Sequence, residues 1–147
     1  MRDYTKIDAW RLADDFTVGI HEITRGFPKE ELYSLTNQIR RAAYSVPANI
    51  AEGSSREGKR DYLHFLCIAR GSLSETQYFV HLSHRLGYMT ASESERLADE
   101  TKRVFACLHG LIRAVEKEAG VLRKVVATIT SVLVLCLSRA VGSPVVM

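Results

Sequence analysis

The sequence predicts an all-α protein in which residues 1–120 form an antiparallel, up-down-up-down four-helix bundle. Apolar residues recur at steps of three and four through four long segments, which is the period of an α-helix and not that of a strand. Three prolines and nine glycines among 147 residues leave room for long helices. Short turns between such helices place consecutive helices side by side and antiparallel.

The first predicted helix runs from about Lys6 to Arg25. Its apolar positions follow one another at three- or four-residue steps and form one stripe along the helix. They are Ile7, Trp10, Ala13, Phe16 or Thr17, Ile20 and Ile23. Gly26 and Pro28 end the segment, because glycine is common just after the last helical residue and proline cannot continue a helix.

The second predicted helix begins just after Pro28 and ends at Gly53. Glu30 and Glu31 suit its first turn, because negative charges are stabilised near the amino-terminal end of the helix dipole. Pro47 lies inside the apolar pattern and removes one backbone donor, so we expect a kink there and not an end. The apolar stripe consists of Leu32, Leu35, Ile39, Ala42, Ala43, Val46 and Ile50.

The third predicted helix runs from about Lys59 to Arg85, after a turn rich in serine and glycine. Ser54 and Ser55 are its candidate caps, since a serine hydroxyl accepts a bond from a free amide of the first helical turn. Gly71 interrupts this helix at a cost of about 1 kcal/mol relative to alanine. We therefore expect Gly71 to permit the close approach of a neighbouring helix.

The fourth predicted helix starts at a capping box formed by Ser92 and Glu95 and ends at Gly120. In a capping box, each of the two side chains accepts a hydrogen bond from the backbone amide of the other residue. The apolar positions alternate in steps of four and three, which is the pattern of a heptad seam. They are Leu97, Thr101, Val104, Leu108, Leu111 and Val115.

Residues 121–147 depart from this pattern, so we divide the chain into a bundle domain, 1–120, and an atypical apolar C-terminal tail, 121–147. From Val125 to Leu137 the tail is apolar apart from threonines and a serine, and this run is shorter than the ~20 residues that span a membrane. We expect a tail that is loosely ordered or packs on the bundle or on a partner. A membrane-surface anchor and a fifth structural helix are the alternatives.

The formal net charge of +3 arises from this tail. Three of the 20 basic residues and none of the 17 acidic residues lie in 121–147, so the bundle domain holds equal numbers of both. Bulk charge therefore does not indicate a strongly basic nucleic-acid binder, and any basic surface has to be local.

The cysteines, Cys67, Cys107 and Cys136, are few and odd in number, and they form no C-x-x-C motif. The N-terminus is charged and lacks the apolar segment of a secretory signal. Both observations predict a cytoplasmic protein whose thiols are reduced and mostly buried.

Motifs for catalysis or metal binding are missing from the sequence. It contains no Glu-x-x-His, no His-Glu-x-x-His and no glycine-rich phosphate loop. His81 and His84 stand three residues apart on one helix face, and we interpret them as surface or helix-packing residues. The sequence therefore predicts no catalytic residue, no metal site and no cofactor.

The stretch from Gln38 to Glu75 is the best candidate for a binding surface. Its basic residues are the candidate phosphate contacts, because guanidinium groups match phosphate oxygens in geometry. They are Arg40, Arg41, Arg56, Lys59, Arg60 and Arg70. If the second and third helices form an antiparallel hairpin, Arg40 and Arg70 are candidates to lie at similar heights along the bundle axis. The alternative is that these charges form structural ion pairs with Glu52, Glu57, Asp61 and Glu75.

The run Gln38–Gly53, QIRRAAYSVPANIAEG, resembles the signature of the four helix bundle proteins first described from intervening sequences of bacterial 23S rRNA genes. Ala69–Glu75, Phe27–Glu31 and Trp10 match that family as well, and the likeness covers about residues 4–118. The resemblance implies an up-down bundle that often assembles as a ring-shaped homopentamer. The family includes relatives of the accessory variability determinant of diversity-generating retroelements, which binds nucleic acid and a reverse transcriptase.

These observations lead to one functional expectation and one main alternative. We expect a non-enzymatic protein that associates with nucleic acid, with RNA preferred over DNA as the ligand. We expect it to act as a homo-oligomer, with a pentamer as the candidate assembly. A reverse transcriptase is a candidate protein partner. The alternative is a structural or protein-interaction scaffold without nucleic-acid binding, which the neutral body and the heptad pattern of the fourth helix favour. An enzyme that uses residues of the bundle core is the third interpretation.

Overall fold

The computed structural model describes residues 2–141, with side chains as far as Gly120. Its four α-helices are α1 (Asp8–Ile23), α2 (Leu35–Ser55), α3 (Lys59–Arg85) and α4 (Ala91–Val141). Each helix packs on two others: α1 and α3 each lie against both α2 and α4. No strand occurs within residues 2–141. The predicted all-α four-helix fold is therefore confirmed, and residues 24–34, 56–58 and 86–90 join the consecutive helices.

The core consists of the apolar stripes of the four helices, turned toward one another. Its fully buried side chains include Phe16, Ile20, Ile39, Ile50, Tyr62, Leu66, Leu73, Leu97, Val104 and Leu108. On α4, Ile112 is buried and Leu111 only half-buried, although the heptad pattern assigned the seam to Leu111. A straight helix has 3.6 residues per turn and drifts away from a strict heptad repeat, which moves the seam by one residue.

The second helix starts later than the sequence predicts. Residues 29–31 form a 3-10 turn after Pro28, and α2 begins only at Leu35. The carboxylate of Glu31 accepts hydrogen bonds from the Ser34 hydroxyl and from the Leu35 amide. These two bonds hold the pKa of Glu31 below its ordinary value. Leu32, predicted to lie on the apolar stripe, is 46% exposed because it precedes the helix.

The caps of α3 and α4 also differ from the predicted ones. Ser54 and Ser55 belong to the last turn of α2, where their hydroxyls donate to backbone carbonyls of the same helix at 2.7 Å. The residue before α3 is Gly58, which has no side chain to cap with. At α4 the capping box consists of Thr90 and Glu93: Thr90 Oγ1 accepts from the Glu93 amide at 3.2 Å, and Glu93 Oε2 accepts from the Thr90 amide at 2.8 Å. The capping box therefore has the predicted three-residue spacing, but it begins two residues before the predicted Ser92.

The fourth helix continues past Gly120, its predicted end, to Val141. A single glycine costs a helix about 1 kcal/mol and does not terminate it. The expectations for the tail and for the domain boundary, together with Cys136, lie outside the described side chains. Where side chains are described, no helix has a stretch long and apolar enough to cross a membrane.

Pro47 lies inside α2, and the helix runs through it. Because proline has no amide hydrogen, the carbonyl of Ala43 loses its usual partner one turn later. The hydroxyl of Thr17 on α1 lies 3.1 Å from this carbonyl and 2.8 Å from that of Ala13, so its single hydrogen is shared between the two acceptors. A bond between α1 and α2 thus replaces the one that Pro47 removes from the helix.

Gly53, predicted to end the second helix, is the point of closest approach between α2 and α3. A Cβ atom placed there would lie 2.8 Å from Phe65 Cβ and 2.9 Å from Tyr62 Cδ2. Gly71, the predicted site of close approach, is exposed, and a Cβ atom there would meet nothing within 4 Å. The close approach therefore lies beside the α2–α3 turn and not in the middle of α3.

Alanine substitution at Gly53 and at Gly71 is expected to change the free energy of unfolding in opposite directions. Gly53→Ala is expected to lower the free energy of unfolding by about 1–3 kcal/mol, because the added methyl group overpacks the contact. Gly71→Ala, the matched control, is expected to raise it by about 0.5–1 kcal/mol, since alanine is the better helix former. Urea unfolding followed by circular dichroism measures both. Equal effects of the two substitutions would contradict the close approach at Gly53.

A double-mutant cycle tests the bond from Thr17 to Ala43. Thr17→Val is expected to cost about 1–3 kcal/mol of unfolding free energy, because it leaves a buried carbonyl without a donor. In a Pro47→Ala background the cost is expected to be smaller, since residue 47 then supplies an amide to the same carbonyl. The difference between the two costs measures the coupling. Identical costs in the two backgrounds would show that Thr17 does not compensate for Pro47.

Candidate nucleic-acid interface

Three of the candidate basic residues lie at the turn between α2 and α3. The Arg56 guanidinium pairs with Glu52 on the same helix and lies 4.8 Å from the centre of the Phe65 ring. The Lys59 ammonium pairs with Glu118 on α4 and is only 25% exposed. Arg60 is exposed and has no ion pair or side-chain hydrogen bond among residues 2–120. The proposed structural pairing is thus present for two of the three residues, with Glu118 an acid that the sequence analysis did not include.

Arg40 faces α1 and is half-buried. Its Nε donates a hydrogen bond of 2.7 Å to Thr24 Oγ1, and the Thr24 hydroxyl in turn donates to the Ile20 carbonyl at 2.8 Å. The Thr24 side chain is only 3% exposed. The guanidinium of Arg40 is therefore fixed against the carboxyl-terminal end of α1.

Arg41, the next residue, points away from α1 and is exposed. With Gln38, Tyr44 and Glu75 it lines a groove of about 250 Å³ between α2 and α3. Although Glu75 shares this groove, no ion pair within 4 Å involves Arg41 in the part of the chain with described side chains. Arg41 is therefore available to a ligand.

Arg70 lies neither at the height of Arg40 nor on the same side of the bundle. The Ser45 and Ser72 hydroxyls are 2.9 Å apart, which sets the register of α2 against α3 and puts Arg70 level with about Pro47. That is roughly 10 Å along the axis from Arg40. Arg70 follows Lys59 by three helical turns and so faces α4, as Lys59 does. The expectation of similar heights is wrong, because antiparallel pairing had left the register open.

The six predicted residues thus form no single patch. Between Arg41 and the end of α2 lie four helical turns, or about 21 Å. Arg40 and Arg41 lie on one level, Arg56, Lys59 and Arg60 lie at the turn, and Arg70 lies on a third surface.

Two further basic residues lie beside Arg40, and the sequence analysis did not include them. His21 lies in the last turn of α1, and Arg25 lies in the 3-10 turn Thr24–Gly26 that follows it. Partial burial lowers the pKa of His21, and the positive charges of Arg40 and Arg25 lower it further. Their four-residue spacing on one helix was visible in the sequence, but the position of Arg40 against them depends on how α2 packs on α1.

The described side chains offer no cluster for metal binding. No group of three or more His, Cys, Asp or Glu residues is arranged to hold a metal ion there. His84 Nδ1 lies 3.2 Å from the Met89 carbonyl, a contact that fixes the end of α3. Cys67 is exposed, which corrects the prediction that the thiols are mostly buried. Cys107 is half-buried, and this burial raises the pKa of its thiol.

Comparison with known proteins places the chain in a family. A family model described as 23S rRNA-intervening sequence protein matches residues 5–110, whereas no curated protein matches the chain. A similar solved structure, at 24% identity and a TM-score of 0.66, is that of a protein of unknown function from the S23 ribosomal protein family of Bacteroides thetaiotaomicron. The similarity covers 71% of this chain and 97% of that one, and it supports the bundle fold. The chain belongs to the family of 23S rRNA-intervening sequence proteins.

Proposed function

We propose that this chain is a non-enzymatic protein that binds RNA through phosphate contacts and acts as a homo-oligomer. The observation that carries the proposal is the state of Arg41 and Arg60. Both are exposed and have no acidic partner among the described side chains, whereas Arg56 and Lys59 are paired. An unpaired guanidinium offers its full set of donors to phosphate oxygens.

The neutral bundle makes an oligomer part of the proposal. With equal numbers of acidic and basic residues in 1–120, long-range attraction to nucleic acid is weak, so affinity has to come from local contacts. One or two available arginines per chain make a weak site. Repeating that site on several linked chains raises the overall affinity without any new kind of contact.

Exposed tyrosines favour RNA with unpaired bases as the ligand. Tyr33, Tyr44 and Tyr78 are 88%, 48% and 58% exposed. Aromatic side chains stack on bases, and stacking requires bases that are not buried in a duplex. Single-stranded segments are the usual targets of such surfaces in RNA recognition.

Salt dependence tests the phosphate contacts. Binding of a single-stranded oligoribonucleotide, measured by filter binding, is expected to weaken steeply as salt is added. Arg41→Gln and Arg60→Gln are each expected to reduce the slope of log K against log salt by about 0.7, which corresponds to one lost contact with a single strand. Lys102→Gln is the matched control: it removes the same charge from α4, where Lys102 pairs with Asp99. Salt-independent binding, or an equal effect of the control, would contradict the proposal.

A scaffold without nucleic-acid binding is the second candidate, and one surface feature favours it. A groove of about 360 Å³ between α1 and α2 is lined by Tyr4, Trp10, Tyr44 and Pro47. The heptad pattern of α4 no longer favours a partner helix, because its residues fill the core of this chain.

Pull-down from a nuclease-treated extract separates the two candidates. Protein partners that stay bound after nuclease treatment support the scaffold, and partners that are lost support binding through RNA. Sedimentation velocity of the purified full chain measures the number of subunits, and a monomer at micromolar concentration would contradict the oligomer.

A further inference from the structure

Three basic side chains meet where the end of α1 lies against the first half of α2. Arg40 is held there by the 2.7 Å bond from its Nε to Thr24 Oγ1. That bond occupies only Nε–H, and the structure gives the two terminal nitrogens of Arg40 no hydrogen bond to residues 2–120. His21 precedes Thr24 by three residues and Arg25 follows it directly, so both flank the anchored guanidinium.

The charges in this cluster are not balanced by acids. Arg40 on α2 and Arg25, in the 3-10 turn after α1, are the charged groups that act on His21. Neither arginine has an ion pair within 4 Å among the described side chains. The neighbouring acid, Glu22, lines the groove between α1 and α4 together with Arg96, on the other side of α1. The dipole of α1 attracts cations to its carboxyl-terminal end, but it supplies only about half a charge for three basic groups.

We propose that Arg40, His21 and Arg25 form a binding site for a nucleotide phosphate, with Arg40 as its fixed central donor. A guanidinium whose Nε is already bonded presents its terminal amines as a fork, and this fork matches two oxygens of one phosphate group. An anion between the three groups also removes the repulsion among them. The site adds His21, at the end of α1, and Arg25, just after it, to the candidate phosphate contacts on α2.

Tyr44 makes this site suitable for a nucleotide and not only for an inorganic anion. It lies one helical turn after Arg40 on α2 and is 48% exposed. Side chains four residues apart on a helix have Cβ atoms about 6 Å apart, which is close enough for one nucleotide to reach both. The phosphate then contacts Arg40 and the base stacks on the tyrosine ring.

The pKa of His21 provides a direct readout, measured by NMR titration of the full chain. A phosphodiester stays negative across the relevant pH range, so its binding stabilises the imidazolium and raises the pKa of His21. We expect a single-stranded oligoribonucleotide to raise this pKa, while the resonances of the exposed His109 on α4, which carries none of the proposed contacts, serve as the reference. By linkage, affinity increases as the pH falls through the pKa of His21, and a rise of one pKa unit corresponds to about tenfold tighter binding.

Charge-removing variants on α1 provide the binding test. Arg25 is exposed, so Arg25→Gln keeps the packing of the bundle. We expect this variant to bind the oligonucleotide more weakly and to raise the pKa of His21 in the free protein. Arg11→Gln is the control, since it removes the same charge from an exposed position of α1 that pairs with Asp8. Arg40→Lys keeps the charge but not the fork, and we expect it to bind more weakly than the unmodified chain.

This inference rests on the proposed RNA binding for its ligand, and the outcomes separate the two. If the oligonucleotide binds without moving the pKa of His21, and Arg25→Gln behaves as Arg11→Gln, the site is overturned and the RNA function stands. If inorganic phosphate shifts the His21 resonances at pH 6 but no oligonucleotide binds, the anion site stands and the RNA function is overturned. Absence of both effects overturns both.

Discussion

The hydrogen bond from Thr17 to the carbonyl of Ala43 is the contact on which the arrangement of the candidate site depends. It exists because Pro47 leaves that carbonyl without a helical partner, and it fixes α2 against α1. About two helical turns further along the chain, just after the end of α1, Thr24 accepts the bond from Arg40. Two buried threonine hydroxyls therefore hold α2 in one rotation about its axis, and that rotation decides which basic residues face α1 and which face solvent.

The opposite side of α2 is held by close packing as well as by the hydrogen bond between the Ser45 and Ser72 hydroxyls. At Gly53 the backbone lies so near Tyr62 and Phe65 that no side chain fits. Helix α2 is thus confined on both flanks, by hydroxyl bonds toward α1 and by one hydroxyl bond and van der Waals contact toward α3. This confinement explains why Arg40 and Arg41, adjacent in sequence, have different roles: one is anchored to α1, whereas the other is exposed at the groove shared with Glu75.

The proposed function depends on which basic side chains are paired with acids and which are not. The basic residues at the α2–α3 turn are largely neutralised by Glu52 and Glu118, which agrees with the structural alternative drawn from the sequence. The cluster of His21, Arg25 and Arg40 is not neutralised by described side chains, and burial together with the charges of Arg40 and Arg25 lowers the pKa of His21. The proposed anion site is thus a local feature of a bundle, residues 1–120, that holds equal numbers of acidic and basic residues.

The sequence alone determined the four helices, most of the core and the family, because a 3.6-residue apolar period and a long motif are local properties of the chain. The start of α2 and the caps were missed, since Glu31 and Thr90 compete with neighbouring residues that match the same short patterns. Only the tertiary structure decided the register of α2 against α3, the close approach at Gly53 and which residues surround the Arg40 guanidinium. Those features depend on how helices rotate and slide against one another, and periodicity within a single helix carries no information on either movement.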